Sequence, residues 1–416
     1  MVVCASDRTG AVMNQERRPI EETVSAAARL RQEIKSLRGG LSQAKLAARI
    51  GYTRQYVSMA EREGHNLPSR DLVAAIDAAQ GGGGRLLSLY EQARQEQRRL
   101  RQRNRVGAVP LDPGAGSAGR RGAGRFIAAA LDALHRDYQA ARYHAVEVGL
   151  PDVLQAVAAL CENSSGDQHR RALRLRSGVL ALRAKLATKL GDGVAAYAAA
   201  DKALSSAEEA EDAIGRAAAS YQLSCALLKL DGIEDAEHNA VESADLVRGD
   251  DPAGLTWRGS LTLIAAIIAA RRADAAEARA RLDHAELLAR RLGRDGNIGF
   301  SAFGPTNVKI HRMSAAVALE DPDTVLALGE QLDLTAMPEG LHGRQGQYHL
   351  DNAWAHGQRK RDAEAVIHLL EAERIAPELL GTSRTARRVL EDLMSRERRQ
   401  AVPGLRGLAG RVGVLA

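Results

Sequence analysis

Apolar positions recur at helical spacing along almost the whole chain, and alternation with period two is nearly absent. A first stripe, Val24, Ala27, Leu30, Ile34 and Leu37, predicts a helix from Ile20 to Leu37, ended by Arg38-Gly39-Gly40. Ser42 is placed to cap a short helix to Ile50, which Gly51 breaks. Thr53 is placed to cap the next, which runs to about Glu63 and stops at Gly64. Ser69 opens a fourth, with Leu72, Val73, Ile76 and Ala79 on one face, stopped by Gly81 to Gly84. A fifth, from Arg85 to about Arg105, starts apolar and becomes strongly basic. Residues 1–19 show no periodicity and read as a flexible N-terminus.

Residues 106–125, rich in Gly and Pro with no apolar face, read as a linker. They contain a literal G-x-G-x-x-G at Gly114, Gly116 and Gly119. Pro110 and Pro113 stand where a dinucleotide fold needs a strand, so the motif implies no nucleotide. From 126 to 416 the pattern is helix, short turn, helix. Breaks are expected near Gly149-Leu150-Pro151, Ser164 to Asp167, Gly191 to Gly193, Asp231-Gly232, Asp250 to Pro252, Gly293 to Gly296, Asp321-Pro322, Pro338 and Gly381. Helix pairs thus recur about every 40 residues, a period that points to stacked repeats. Small residues stand where paired helices must touch: Ala353, Ala365 and Ala372, and again Ala278 and Ala285. The Ala365–Ala372–Pro377 spacing resembles the second helix of a tetratricopeptide repeat. The predicted fold is therefore all-α: a five-helix N-terminal domain (20–105), then an α-solenoid of tetratricopeptide-like pairs.

Composition supports helices over sheets. Of the 416 residues 45% are hydrophobic but only 3% aromatic, so Ala and Leu do the packing. No run reaches the roughly 18 apolar residues of a membrane span. The N-terminus lacks an export signal, and Cys4, Cys161 and Cys225 form no disulfide framework, so a cytoplasmic protein without membrane contact is expected. Charge is uneven: the first 125 residues carry 22 Lys+Arg against 12 Asp+Glu, although the whole chain is only +6. A basic end suggests nucleic acid.

Within that basic end, Leu41, Leu46, Ala47, Ile50, Val57 and Ala60 can share one interior, with Gly51 turning the chain between two helices. Ser42-Gln43-Ala44, the Ala47–Gly51 pair and Tyr56-Val57-Ser58 closely resemble the phage-repressor-type (Xre family) helix-turn-helix domain over about residues 24–80. The resemblance implies that the second motif helix enters the major groove of double-stranded DNA. Arg54, Gln55 and Met59 would then meet base edges, each polar one discriminating by roughly 1–3 kcal/mol. Gln43 would bond a phosphate, and Thr53, Tyr56, Ser58 and Arg62 are further backbone contacts.

An Xre-type head on a tetratricopeptide-like body resembles regulators common in GC-rich, antibiotic-producing bacteria, a likeness also carried by FGPTNV (303–308) and ERIAP (373–377). It implies transcription control, often with the repeats sensing a small molecule or peptide. One motif covers few base pairs, so a homodimer on a palindromic operator is expected. Trp257, Phe300, Phe303, Asn307, His311, Tyr348 and Trp354 are candidate effector contacts. The competing reading makes them large core residues of an Ala-rich solenoid, and an interaction scaffold with a DNA-localising head is the alternative function. No G-x-S-x-G, H-E-x-x-H, Walker or clustered Cys/His motif is present, so no catalytic residue, metal or cofactor is expected.

Overall fold

The computed structural model describes residues 25–50, 54–61, 68, 70–105, 117–397 and 404–414. The expectations for residues 1–19, for Val24, for Gly51 and for Ser69 fall outside them. The chain divides into two compact units, Met1–Ala108 and Val109–Ala416. All regular structure among the described residues is helical.

The first unit packs α1 (Ala26–Arg38), α2 (Gln43–Ile50), α3 (Arg54–Glu61), α4 (Arg70–Ala79) and α5 (Arg85–Arg105). Leu30, Ile34, Leu46, Val57, Val73, Ile76 and Leu86 are fully buried between them. Helix α1 starts later than its stripe predicts, where Ser25 Oγ accepts from the Ala28 amide at 3.2 Å. Its first amide, on Ala26, donates to Glu96 of α5 at 2.6 Å, a carboxylate placed where the helix dipole favours it. The glycine run before α5 is dictated by Asp77. This buried carboxylate accepts from the amides of Gly84 (2.6 Å) and Leu86 (2.8 Å), and a Cβ on Gly82 would stand 2.5 Å from its Oδ1. Gly81, Gly83 and Gly84 take φ of +67°, +60° and +86°, which side-chain-bearing residues resist.

The second unit is a stack of helix pairs. They are α6 (Ser117–Gln139) with α7 (Tyr143–Glu162), α8 (Gly166–Leu190) with α9 (Gly193–Glu209), and α10 (Ala213–Lys229) with α11 (Ile233–Leu246). Next come α12 (Pro252–Arg271) with α13 (Ala275–Leu292), α14 (Pro305–Ala318) with α15 (Pro322–Glu330), and α16 (His342–Gln358) with α17 (Asp362–Ile375). The short α18 (Pro377–Thr382), α19 (Arg384–Ser395) and α20 (Leu405–Val412) complete it. Ala278, Ala285, Ala353, Ala365 and Ala372 are all buried where helices touch, as their spacing predicts.

One turn joins most consecutive helices of the stack. The second residue past the helix adopts a left-handed conformation (Glu211 φ +52°, Ala273 +60°, Glu320 +57°). The next amide bonds a carbonyl five residues back: Asp212 to Ala207 (2.9 Å), Asp274 to Ala269 (3.0 Å), Asp321 to Ala316 (2.9 Å). That same aspartate then caps the following helix, as Asp274 Oδ1 does for the Glu277 amide at 3.0 Å.

Three expectations are corrected. Helix α6 begins at Ser117, inside the stretch read as linker; Ala123 and Ile127 are buried and Gly122 and Gly124 are carried along. Helix α7 runs unbroken through Pro151. Val146, Leu150, Val153, Val157 and Leu160 are buried on either side, and Pro151 itself lies on the exposed face. Finally, α7 and α12 are, by length and composition, apolar enough to cross a membrane, where none was expected. Polar or charged residues, or Gly, interrupt their apolar runs well short of a membrane span. Most of α12 is buried among its neighbours, and α7 buries one stripe.

The stack curls so that its last pairs meet its first. Glu378 of α18 accepts from the His144 amide of α7 at 2.8 Å, and Gly343 of α16 sits against the Gln139 carbonyl of α6. A single apolar cluster joins α6–α8 to α14–α20.

Candidate nucleic-acid interface and interior cavity

In the helix-turn-helix, Leu46 and Ala47 of α2 face Val57 and Ala60 of α3, all buried, with Leu41 and Ile50 partly covered. Ser42 Oγ caps α2 through the Lys45 amide at 3.2 Å. The far end of α3 is fixed by charge. The Glu61 side chain, only 3% exposed, accepts from Arg38 Nε (2.6 Å), Arg38 Nη2 (3.2 Å) and Gln43 Nε2 (2.7 Å). Arg38 also donates to the Leu41 carbonyl at 2.6 Å. One carboxylate thus ties the end of α1 and the start of α2 to the end of α3.

Gln43 donates one of its two amide protons to Glu61, which orients the N-terminus of α2. Arg54, Gln55, Tyr56 and Met59 lie on α3, with their side chains outside the described residues. Helical periodicity sets positions 55 and 59 opposite the buried Val57. Ser58 is half-buried, and Thr53 and Arg62 lie outside the described residues. Lys45 and Arg49 on α2, which the sequence did not single out, are exposed cations on the same motif.

The second unit holds a partly open cavity of about 230 Å³. Its walls are the first helices of successive pairs: Tyr138 on α6, Lys185 and Lys189 on α8, Tyr221 and Gln222 on α10, Trp257 on α12, Arg344 on α16. The segment 293–304 folds across one side of it. The Phe300 ring stacks on His135 of α6 (4.3 Å between centroids), and its carbonyl accepts from Lys185 Nζ at 3.1 Å. Asn297 and Gln139 exchange two amide hydrogen bonds of 2.7 and 2.8 Å. Gly299, at φ +58°, lies where a Cβ would come 2.9 Å from the Trp257 ring, so no side chain fits there.

The cavity is electropositive. Burial, and then the nearby Arg344 guanidinium, lower both Lys185 and Lys189 to about 8. Burial pushes the Cys225 thiol up to about 11 and the Tyr221 phenol up to about 12. Burial and Lys185 hold His135 well below its ordinary value. Lys185 lies 5.9 Å from the centre of the Tyr138 ring, and Lys189 the same distance from Tyr143.

Of the seven candidate effector residues, Trp257 and Phe300 line this cavity. The other five are not among its lining residues. Phe303 is fully buried against α12, where a Cβ on Gly259 would come 2.0 Å from its ring tip. His311 is buried and donates through Nδ1 to the Asn307 carbonyl at 2.8 Å. Its pKa falls to about 3 through burial and then Arg344. Asn307 is 2% exposed, Tyr348 donates to the Gly329 carbonyl at 3.1 Å, and Trp354 belongs to the main apolar cluster. The lysines, Arg344 and the tyrosines were missed. Their only sequence signal is Lys185 and Lys189 four apart on one helix face.

A comparison of the chain with curated proteins finds no match. Residues 30–79, spanning α1 to α4, match the helix-turn-helix protein-family model, which identifies this segment as an Xre-type helix-turn-helix domain.

Proposed function

We propose that the protein is a sequence-specific transcription regulator that binds a palindromic operator as a homodimer and whose helical stack senses a small molecule. The observation that carries this reading is the helix-turn-helix match at 30–79, on helices whose relative placement Glu61 locks. In this reading α3 enters the major groove, with Arg54, Gln55 and Met59 toward base edges. The α2 N-terminus, oriented by Gln43, offers its amides to a phosphate, and Lys45 and Arg49 add charge. The effector role rests on the interior cavity.

The test is selection of bound DNA fragments by the full chain, followed by affinity measurements over a range of salt. A regulator prefers its operator by at least about 10³ over random DNA. Binding that is sequence-blind and fully salt-dependent refutes the proposal in favour of a scaffold with a DNA-localising head.

A further inference from the structure

We propose that the interior cavity binds a small organic oxyanion, a carboxylate- or phosphate-bearing molecule with a flat body. This deepens the effector role proposed above by naming the chemistry that the site accepts.

Three cations, Lys185, Lys189 and Arg344, line one cavity, and no Asp or Glu lines it among the described residues. All three are half-buried, and crowding like charges away from bulk water is unfavourable unless a counter-charge answers them. Here their answering partners are ring faces, a single carbonyl and a phenol. The charges oppose folding in this arrangement, as groups kept for binding commonly do. An oxyanion entering the cavity would restore the lysines toward their ordinary basicity.

Two further side chains point to the same ligand class. Gln222 is 3% exposed and lines the cavity, yet its Nε2 has no hydrogen-bond partner; the hydroxyl of Thr188 is likewise buried and unpartnered. Buried polar groups ordinarily find partners, so a donor left over in a cation-lined cavity suits an acceptor-rich guest. The indole of Trp257 and the ring of Phe300 supply flat apolar surface beside these donors. A volume of about 230 Å³ lies below the roughly 300–1,000 Å³ of pockets for drug-sized ligands, which excludes a nucleic-acid strand or a folded peptide.

The experiment uses the full chain and isosteric probes: benzoate, phenyl phosphate, inorganic phosphate and the neutral benzamide. Calorimetry and thermal melting should show saturable one-to-one binding of benzoate or phenyl phosphate, and none of benzamide. The stronger of the two distinguishes a carboxylate from a phosphate head. Lys185→Met and Lys189→Met should each weaken anion binding at least about tenfold, the loss of one charge-assisted contact. Without anion, both variants should melt no lower than the parent, because a buried charge has been removed. Equal binding of benzamide, no saturable binding of either aromatic anion, or Met variants that melt lower and keep their anion affinity would overturn the proposal. Equal stabilisation of parent and Met variants by inorganic phosphate would overturn it too. Operator affinity with and without the bound anion separates the two readings. Unchanged DNA affinity beside intact anion binding leaves the site standing and refutes the effector role.

Discussion

Replacing Glu61 with alanine removes the acceptor of three hydrogen bonds at the point where α1, α2 and α3 meet. Losing one partner of a buried ion pair costs about 3–5 kcal/mol, because the remaining charge stays desolvated. Arg38 is 20% exposed, so its guanidinium can turn partly to water, and the lower end, about 3 kcal/mol, applies. That is roughly two powers of ten in the local opening equilibrium. The assay is native-state hydrogen exchange in the full chain, read at the amides of Leu46 and Val57, which sit in the affected interior. Exchange there should speed up about a hundredfold, with the second unit unaffected. The double variant Arg38→Met with Glu61→Leu should recover most of the loss, because removing both charges removes the stranded one. Less than about a threefold change in the single variant, or a double variant as unstable as the single, would refute this account of the three-helix seam.

Three other outcomes are expected. Gly259→Ala should lower the melting point of the second unit by overpacking worth about 1–3 kcal/mol, and Phe303→Leu in the same chain should relieve it; no change in Gly259→Ala would mean that the Phe303 ring can move away. His368, lowered to about 4 by burial and then by His349 and His356, and His311, lowered to about 3, are neutral in the fold and titrate near 6.5 when unfolded. Asp351, raised to about 7 by burial, holds one proton more in the fold over the same range. It is one group against two, so the unfolded chain still binds more protons and stability should fall from pH 6.5 to about pH 4; a urea midpoint that is flat over this range would contradict it. Arg54→Ala and Gln55→Ala should each relax sequence preference at one or two base positions by roughly 1–3 kcal/mol, read from the selected fragments, and an unchanged preferred sequence would mean that α3 is not the reading helix.

The sequence was legible where a local rule decides. Ala278, Ala285, Ala365 and Ala372 announced helix contacts because only small side chains let backbones approach there. The buried set Leu46, Ala47, Val57 and Ala60 announced the motif because a tight two-helix crossing leaves those positions no alternative. Turns built on Ala141, Glu211 and Ala273 gave no such signal. Their left-handed residues are held by the hydrogen bonds of the turn and the packing of the helices, and each residue type also suits a helix interior. Arg38 and Glu61 are 23 positions apart, so nothing local marks them as a pair. Nothing local marks Lys185 and Lys189 as cavity residues, because only the curl of the stack turns the first helix of each pair inward. The aromatic residues misled for the same reason: Phe303 and Trp354 fill space, and no residue-level rule separates that from lining a cavity.

The meeting of α16 and α18 with α6 and α7 limits how this body can evolve. An open array of helix pairs grows or shrinks by duplication, because each unit needs only its neighbours. Here a gained or lost pair would rotate Gly343 away from Gln139 and Glu378 away from His144, opening the apolar cluster on both sides of the join. The number of pairs is therefore fixed as it is in a barrel, and change must come through side chains facing the centre.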